Sequence, residues 1–409
     1  MNKVPDLRFA GFSGEWESTR LSDISIINPK SGKLPETFKY VDLASVTGTN
    51  LTNYTILKKE DAPSRAQRLS EKGDIFYQTV RPYQRNNYLF NLDDNNYVFS
   101  TGYAQIRTNQ EPSFIFAIMQ TNKFVNTVMN RTTGTSFPAI STTDLSDIDI
   151  KVTPIKEEQE KIGNLFKKID ALIEIQEGKI SKIEDFKKSM IQKTFPKKGE
   201  LIPEFRFDGF DGNWDVLTLG EIGDIQSSGV DKVIYNNQKI VRLLNYMDVY
   251  NKKSPTINNI ETFMKTSASD KEMLTKDIMK GDILFTPTSE TAEDIGHSMV
   301  IKDDIKGMVY SYHIFRFRPN RGVLDINFSN YFCNIEPVRK QLKINAQGAQ
   351  RYTLKLNDFR DLNIIIPSLP EQEKIGQFFK NLDSQIETEK KLLDSYKMMK
   401  RSLLQKLFV

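Results

Sequence analysis

VPDLRFAGFSGEW at residues 4–16 returns as IPEFRFDGFDGNW at residues 202–214, an offset of 198. EEQEKIG at 157–163 returns as PEQEKIG at 370–376, and QKTF at 192–195 as QKLF at 405–408, now offset by 213. Solenoid repeats run about 20–50 residues, whereas this one has the length of a whole domain. The chain therefore reads as two homologous halves joined head to tail, with any function expressed twice about a pseudo-twofold axis. Between these anchors EKGDIF (71–76) matches MKGDIL (279–284), VFSTGYAQIRTN (98–109) matches VYSYHIFRFRPN (309–320) and DLSDIDI (144–150) matches DFRDLNI (358–364). The offset climbs through 208 and 211 to 214. Loops in the first two-thirds of each half have changed length, while the last third has kept its own. A fixed scaffold carrying variable loops is the pattern of a recognition module.

With 409 residues, 38% hydrophobic and 27% charged, the chain has an ordinary soluble balance and length for two or three cores. It has no apolar run long enough to span a membrane. MNKVPDLRFAGF lacks the charged-then-apolar layout of a signal peptide. A single cysteine, Cys333, excludes an internal disulfide framework, and its run NYFCNI places it at a buried helix position. A cytoplasmic protein is the expectation. The net charge of +4 permits an anionic partner without demanding one. Its distribution is more telling: Arg65, Arg68, Arg81 and Arg85 fall within 21 residues.

Residues 156–195 and 369–408 read as two long helices. Ile162, Phe166, Ile169, Ile173, Ile180, Ile183 and Met190 recur at spacings of four and three, broken at Gln176 and Lys187. Ile375, Phe379, Leu382, Ile386, Leu393, Tyr396 and Leu403 repeat the scheme, broken at Glu389 and Lys400. Sustained heptads argue for a coiled coil. With two copies in one chain they pair with each other, and the pseudo-twofold relation makes the pairing antiparallel. Gln176 and Glu389 share a heptad position near each midpoint; they either meet and fix register or mark a loosely packed point. Leu165, Leu172 and Phe186, with Phe378, Leu392 and Met399, form a third apolar row beside the seam. A two-stranded seam does not need it, so either the chain's own domains or another subunit packs there.

The rest is α+β. Short β-branched and aromatic runs alternate with helical stretches, FIFAIMQTNKFVNTVM (114–129) and FSNYFCNIEPVRKQL (328–342), around a twisted sheet. The chain divides into variable domains at 1–155 and 199–367 and helical segments at 156–198 and 368–409. The motif P-x-x-R-F-x-G-F-x-G-x-W places the two tryptophans, Trp16 and Trp214, at equivalent positions, where a packing anchor is expected. Lys72-Gly73-Asp74 and Lys280-Gly281-Asp282 read as tight turns into a central strand.

Where the halves disagree, the disagreement has chemical character. RPYQRNN at 81–87 offers Arg81, Tyr83, Gln84, Arg85, Asn86 and Asn87 directly after a strand. Arginine pairs bidentately with guanine, and asparagine or glutamine with adenine, in the major groove. Arg65, Arg68 and Arg131 are placed to hold phosphates. The matching stretch TPTSETAEDIG (286–296) supplies Thr286, Thr288, Ser289, Glu290 and Thr291 instead, hydroxyls for base or phosphate and a carboxylate for cytosine N4. A further loop precedes the last strand in each half, with Thr135 and Ser136 in TGTSFPAI (133–140), and Gln350, Arg351 and Tyr352 in QGAQRYTL (347–354). His313, at a strand end, is either packed or a DNA contact.

Catalysis finds little support. The two histidines, His297 and His313, both lie in the second half, so a duplicated histidine site is impossible. There is no P-loop, no glycine-rich dinucleotide fingerprint and no Cys/His metal spacing. The Asp/Asn-Pro-Pro-Tyr signature of amino-methyltransferases is also missing.

The doubled P-x-x-R-F-x-G-F-x-G-x-W openings, the two Lys-Gly-Asp turns and the two E-Q-E-K-I-G helix starts resemble the specificity subunit of type I restriction-modification enzymes, in the family's order along the whole chain. The resemblance implies two target-recognition domains, each reading half of a split site on double-stranded DNA. It implies two methyltransferase subunits that modify adenine with S-adenosylmethionine, and restriction subunits that translocate with ATP and Mg. No cofactor would bind this chain, and it would do no chemistry itself. Recognition loops vary across the family, so the candidate residues rest on their chemistry alone. A free-standing two-domain DNA-binding regulator is the alternative, disfavoured by the third apolar row. An autonomous modifying enzyme is a further one, disfavoured by the missing motifs.

Overall fold

A computed structural model describes residues 3–409, so Met1 and Asn2 of the N-terminal segment read above lie outside the described residues. The chain forms two compact units, one taking residues up to Ile180 together with Glu389–Val409, the other Ser181–Thr388. The long helices run Lys156–Thr194 and Leu369–Lys406. Each unit thus holds one sheet-rich domain, the start of one long helix and the end of the other.

The first unit carries a four-stranded sheet in the order Thr55–Lys58, Thr37–Val41, Tyr97–Ser100, Ala66–Leu69. A second is ordered Ser25–Ile27, Tyr103–Thr108, Ile75–Gln78, Tyr88–Leu89, and Glu17–Arg20 forms a ribbon with Asp149–Val152. The second unit repeats the plan. Gly223–Ser227, Phe315–Pro319, Ile283–Phe285 and Ser298–Val300 make one sheet; Met264–Ala268, Lys239–Leu244 and Met308–Tyr310 make the other. The same parallel pairing recurs in both, Tyr97↔Lys39 and Arg242↔Met308. The α+β reading holds, with the sheet component divided in two. Each expected helical stretch is also broken. Thr121 ends the helix Pro112–Gln120 and caps Asn122–Asn130 by accepting from Phe124 N. Glu336-Pro337 opens a new helix after Ile326–Phe332, since proline belongs in a first turn and not in an interior.

The repeated motifs are scaffold, and each residue has a mechanical reason. Arg8 donates from Nε and Nη2 to the Glu158 carboxylate at 2.7 and 2.8 Å and from Nη1 to Gly14 O. Arg206 does the same with Glu371 at 2.8 and 2.7 Å and with Gly212 O. Gln159 and Gln372 each accept a backbone N–H, from Glu111 and Asp325, at the start of a domain helix. A side chain at Gly163 or Gly376 would collide with the backbone N of Phe114 or Phe328, so close do the helices approach there. Asp74 and Asp282 are buried, and each holds an arginine of the neighbouring strand, Arg107 or Arg318, through two bonds. Gly73 and Gly281 turn at φ 95° and 93°, where a Cβ would be strained.

The helix ends complete the cores. Phe408 packs against Trp16, Phe114 and Phe166 in the first unit, and Phe195 against Trp214, Phe328 and Phe379 in the second. The phenylalanines that end QKTF and QKLF therefore pack on the tryptophans, while the glutamine and lysine of each motif stay exposed. The seam residues Ile162, Phe166, Ile169, Ile180, Ile375, Phe379 and Ile386 are buried. In the first unit the helices run antiparallel, with Lys400 on Asp170 and Lys397 on Glu177. In the second, Lys187 meets Asp383. Gln176 and Glu389 do meet: Gln176 Nε2 donates to the Glu389 carboxylate at 2.6 Å and to its backbone O at 3.0 Å. Cys333 is buried, and burial pushes its thiol pKa up, which leaves it unreactive.

Candidate functional site

In the first unit the strand Ile75–Gln78 leads into a turn bracketed by two left-handed arginines, Arg81 at φ 54° and Arg85 at φ 57°, around a short 3-10 turn opened by Pro82. Such conformations persist in non-glycine residues only where their surroundings impose them. Here the surroundings are the loop 133–140. Val80 bridges Ala139, Thr133 bridges Ala139, Arg81 N donates to Pro138 O at 2.7 Å, and the Arg81 guanidinium lies 4.3 Å from the Phe137 ring centroid.

The second unit builds the same junction from different residues. Thr288 pairs with Thr353 and Ser289 with Tyr352, while Gln347 bridges Thr353. With the local offsets of 208 and 214, Val80 corresponds to Thr288, Ala139 to Thr353 and Thr133 to Gln347. The two candidate loops of each half are therefore brought edge to edge at one place, twice, with unlike side chains.

Burial sorts the candidates. Tyr83, Gln84, Thr135 and Ser136 are exposed on the first junction, as are Glu290, Thr291, Gln350 and Arg351 on the second, with Thr288 and Tyr352 partly so. Several expectations need correction. Asn87 is 1% exposed and its carboxamide O accepts from Gln78 N, so it holds the loop from inside. Thr286 is fully buried with its hydroxyl accepting from His297 N, and the buried Ser289 donates to Thr291 O. Asn86 accepts from Gly48 N. Arg85 folds back, donating to Gln120 O and to the Asn122 carboxamide, so its guanidinium is an anchor rather than an open base-reading fork. Arg131 donates to Asp144 O beneath the loop. Arg65 is exposed, while Arg68 is half-buried and its pKa is drawn down by desolvation. His313 lies half-buried with its ring 3.9 Å from that of Tyr312, and burial lowers its pKa.

Sequence reading missed residues at both junctions. Phe137 is exposed over Arg81. Tyr246 donates to Thr288 O at 2.7 Å and stacks on Tyr250, which lies 4.6 Å from His297. His297 Nε2 is 2.6 Å from Asp294, whose carboxyl it holds below its usual range. Arg339 donates to Gly296 O and Glu293 O and ties the loop to the helix Glu336–Asn345. Nothing local marks Tyr246 or Arg339, because they reach the loop from other elements, whereas Phe137 and Asp294 lie within the candidate loops themselves and His297 directly follows one.

A family model described as the type I restriction modification DNA specificity domain matches residues 13–185 and again 211–396, one match per half. The chain belongs to this specificity-domain family. Among relatives of the family, the type I restriction enzyme HindI specificity subunit of Haemophilus influenzae is 28% identical over 170 residues, 39% of this chain and 36% of that one. The EcoDI specificity subunit of Escherichia coli is 27% identical over 172 residues, 41% and 37% of the two chains. The chain thus matches little more than a third of these two relatives. The MjaVIII specificity subunit of Methanocaldococcus jannaschii is 24% identical over 67% of this chain and 64% of its own. The fold is also similar to that of the S subunit of a type I restriction-modification system from M. genitalium, with TM-score 0.60, 15% identity and 99% of each chain covered. A chain from a structure of a type I restriction-modification assembly has TM-score 0.56, 20% identity, and 96% and 97% coverage.

In this specificity-family chain the third apolar row divides. Leu165 and Phe378 are partly covered by their own domain cores. Leu172, Phe186, Leu392 and Met399 remain exposed, as do Ile175 and Met398, which sequence reading did not include. Among the described residues, no helix is long and apolar enough to cross a membrane, and no group of three or more His, Cys, Asp or Glu is arranged to hold a metal.

Proposed function

We propose that this chain is the DNA-specificity subunit of a type I restriction-modification complex, with one domain, residues 1–155, reading one half of an asymmetric split site and the other, 199–367, reading the second. The observation that carries the reading is the repeated junction. One backbone arrangement appears twice, and its exposed residues are Tyr83, Gln84, Thr135 and Ser136 in one copy but Glu290, Thr291, Gln350 and Arg351 in the other. Equal backbone placement with unequal chemistry suits two different base sequences. The exposed apolar residues of the helix pair supply the docking surface for two methyltransferase subunits, and through them for restriction subunits. Those partners carry S-adenosylmethionine, ATP and Mg. Sequencing methylated bases with and without the gene tests the reading. The expected result is an asymmetric bipartite adenine-methylated motif that vanishes with the gene. A gene-independent motif, or a single undivided one, overturns it.

A further inference from the structure

Lys187 and Lys400 interrupt the apolar seam at corresponding heptad positions, offset by 213. Each answers an aspartate of the opposing helix, and those aspartates, Asp170 and Asp383, carry the same offset. Each pair then takes a third member from the sheet-rich domain of its own unit. In the first unit Lys400 Nζ lies 2.5 Å from the Asp170 carboxylate and donates to Gln120 Oε1 at 2.5 Å. In the second, Lys187 donates to Asp383, Tyr331 Oη donates to the other Asp383 oxygen at 2.5 Å, and the lysine lies 5.2 Å from the Tyr331 ring centroid. Gln120 and Tyr331 are both buried.

These third members stand on the elements that anchor the reading loops. Gln120 O accepts from Arg85 of the loop 81–87, so loop, Gln120, Lys400 and Asp170 form one polar path. In the second unit Tyr331 belongs to Ile326–Phe332. Asn334, just beyond it, donates to Ser298 Oγ beside the loop 286–296, whose Gly296 and Glu293 carbonyls are held by Arg339. Apolar packing such as Tyr331 on Phe379 resists separation but tolerates sliding, whereas a charge-assisted hydrogen bond is directional.

We propose that Lys187–Asp383–Tyr331 and Lys400–Asp170–Gln120 are positioning clusters that fix the pose of each recognition domain on its long-helix segment, and so fix the spacer length between the two half-sites. This rests on the functional reading above. Neither cluster touches DNA. They act through the loops' placement, so disrupting them relaxes spacer choice and leaves base choice alone.

The test uses the full chain assembled with its methyltransferase subunits, S-adenosylmethionine and a DNA library in which both half-sites are constant and the spacer varies. Tyr331→Phe keeps the ring and removes only the hydroxyl, and Lys187→Met removes the charge. A hydrogen bond to a charged group is worth roughly a factor of ten in an equilibrium, so discrimination against neighbouring spacers should fall about tenfold in each variant. A parallel library with a fixed spacer and varied half-sites should be methylated as by wild type, and Lys187→Arg should restore spacer discrimination. If the variants keep wild-type spacer preference, or methylate new half-site sequences, the clusters are not positioning devices. A wild-type complex that methylates no member of either library overturns the functional reading, and this proposal with it.

Discussion

Arg206 and Glu371 show how much one residue of a repeated motif can carry. The Glu371 carboxylate is 1% exposed and its charge is met by two arginine bonds. Removing one partner of a buried pair strands the other charge, at a cost of about 3–5 kcal/mol. Arg206→Ala should therefore destabilise the second unit by that amount. Denaturant titration followed by Trp214 fluorescence in a Trp16→Phe background measures it, since each unit holds one tryptophan. On the first junction, Gln84 is exposed, with its carboxamide O accepting from Gln78 Nε2 at 2.8 Å, while Arg85 is bound to the Gln120–Asn122 corner. Gln84→Ala should relax discrimination at one base by about 1–3 kcal/mol. Arg85→Ala should instead weaken methylation of all sites sharing that half-site without admitting new bases. Methylation of a half-site library separates the two outcomes.

Among the elements, the long helices meet in the first unit through Gln176, Lys179 and Glu389 as well as through Lys397–Glu177 and Lys400–Asp170. The Lys179 ammonium and then the Gln176 amide hold the Glu389 carboxyl below the usual glutamate range. A carboxyl depressed on folding stabilises the fold above its unfolded pKa of about 4.3, and the contribution is lost as pH falls through the lower folded value. Glu389→Gln should thus lower the thermal midpoint of the chain at pH 7. The gap from wild type should narrow progressively below about pH 4, read by calorimetry across that range. On the outside of the same helices, Leu172 and Leu392 are exposed. Changing both to glutamate should leave the circular dichroism spectrum intact and abolish co-elution with the methyltransferase subunit. Retained co-elution would place docking elsewhere.

For the whole molecule, the proposed function makes helix length the measure of the DNA spacer. Four residues inserted near Gln176 add about 6 Å of helix, worth nearly two base pairs at about 3.4 Å each. Spacer length in the methylated motif should grow accordingly while both half-sites stay as they are, with some loss of stability because four residues do not restore a heptad. An unchanged spacer in an active complex would refute the ruler.

By itself the sequence determined the duplication, the α+β class, the heptad seam and the structural nature of the repeated motifs. Each of these is written as periodicity or as repetition, and both survive without coordinates because a helical stripe or a duplicated domain constrains many residues at once. Which loop residues face outward was decided only by the tertiary structure. RPYQRNN reads as one run of base-reading residues, yet Tyr83 is exposed and Asn87 buried, because the Asn87 carboxamide O is taken by Gln78 N of the preceding strand. Thr286 and Ser289 were lost to the interior in the same way, spent on backbone partners. Lys187 and Lys400 read as breaks in a pattern, and the third member of each cluster became visible only once a distant domain helix had been folded against them. Hydrogen-bonding capacity is a property of residue type, but whether it is free for a ligand depends on contacts that only the folded chain makes, such as Thr286 with His297 N and Arg85 with Gln120 and Asn122.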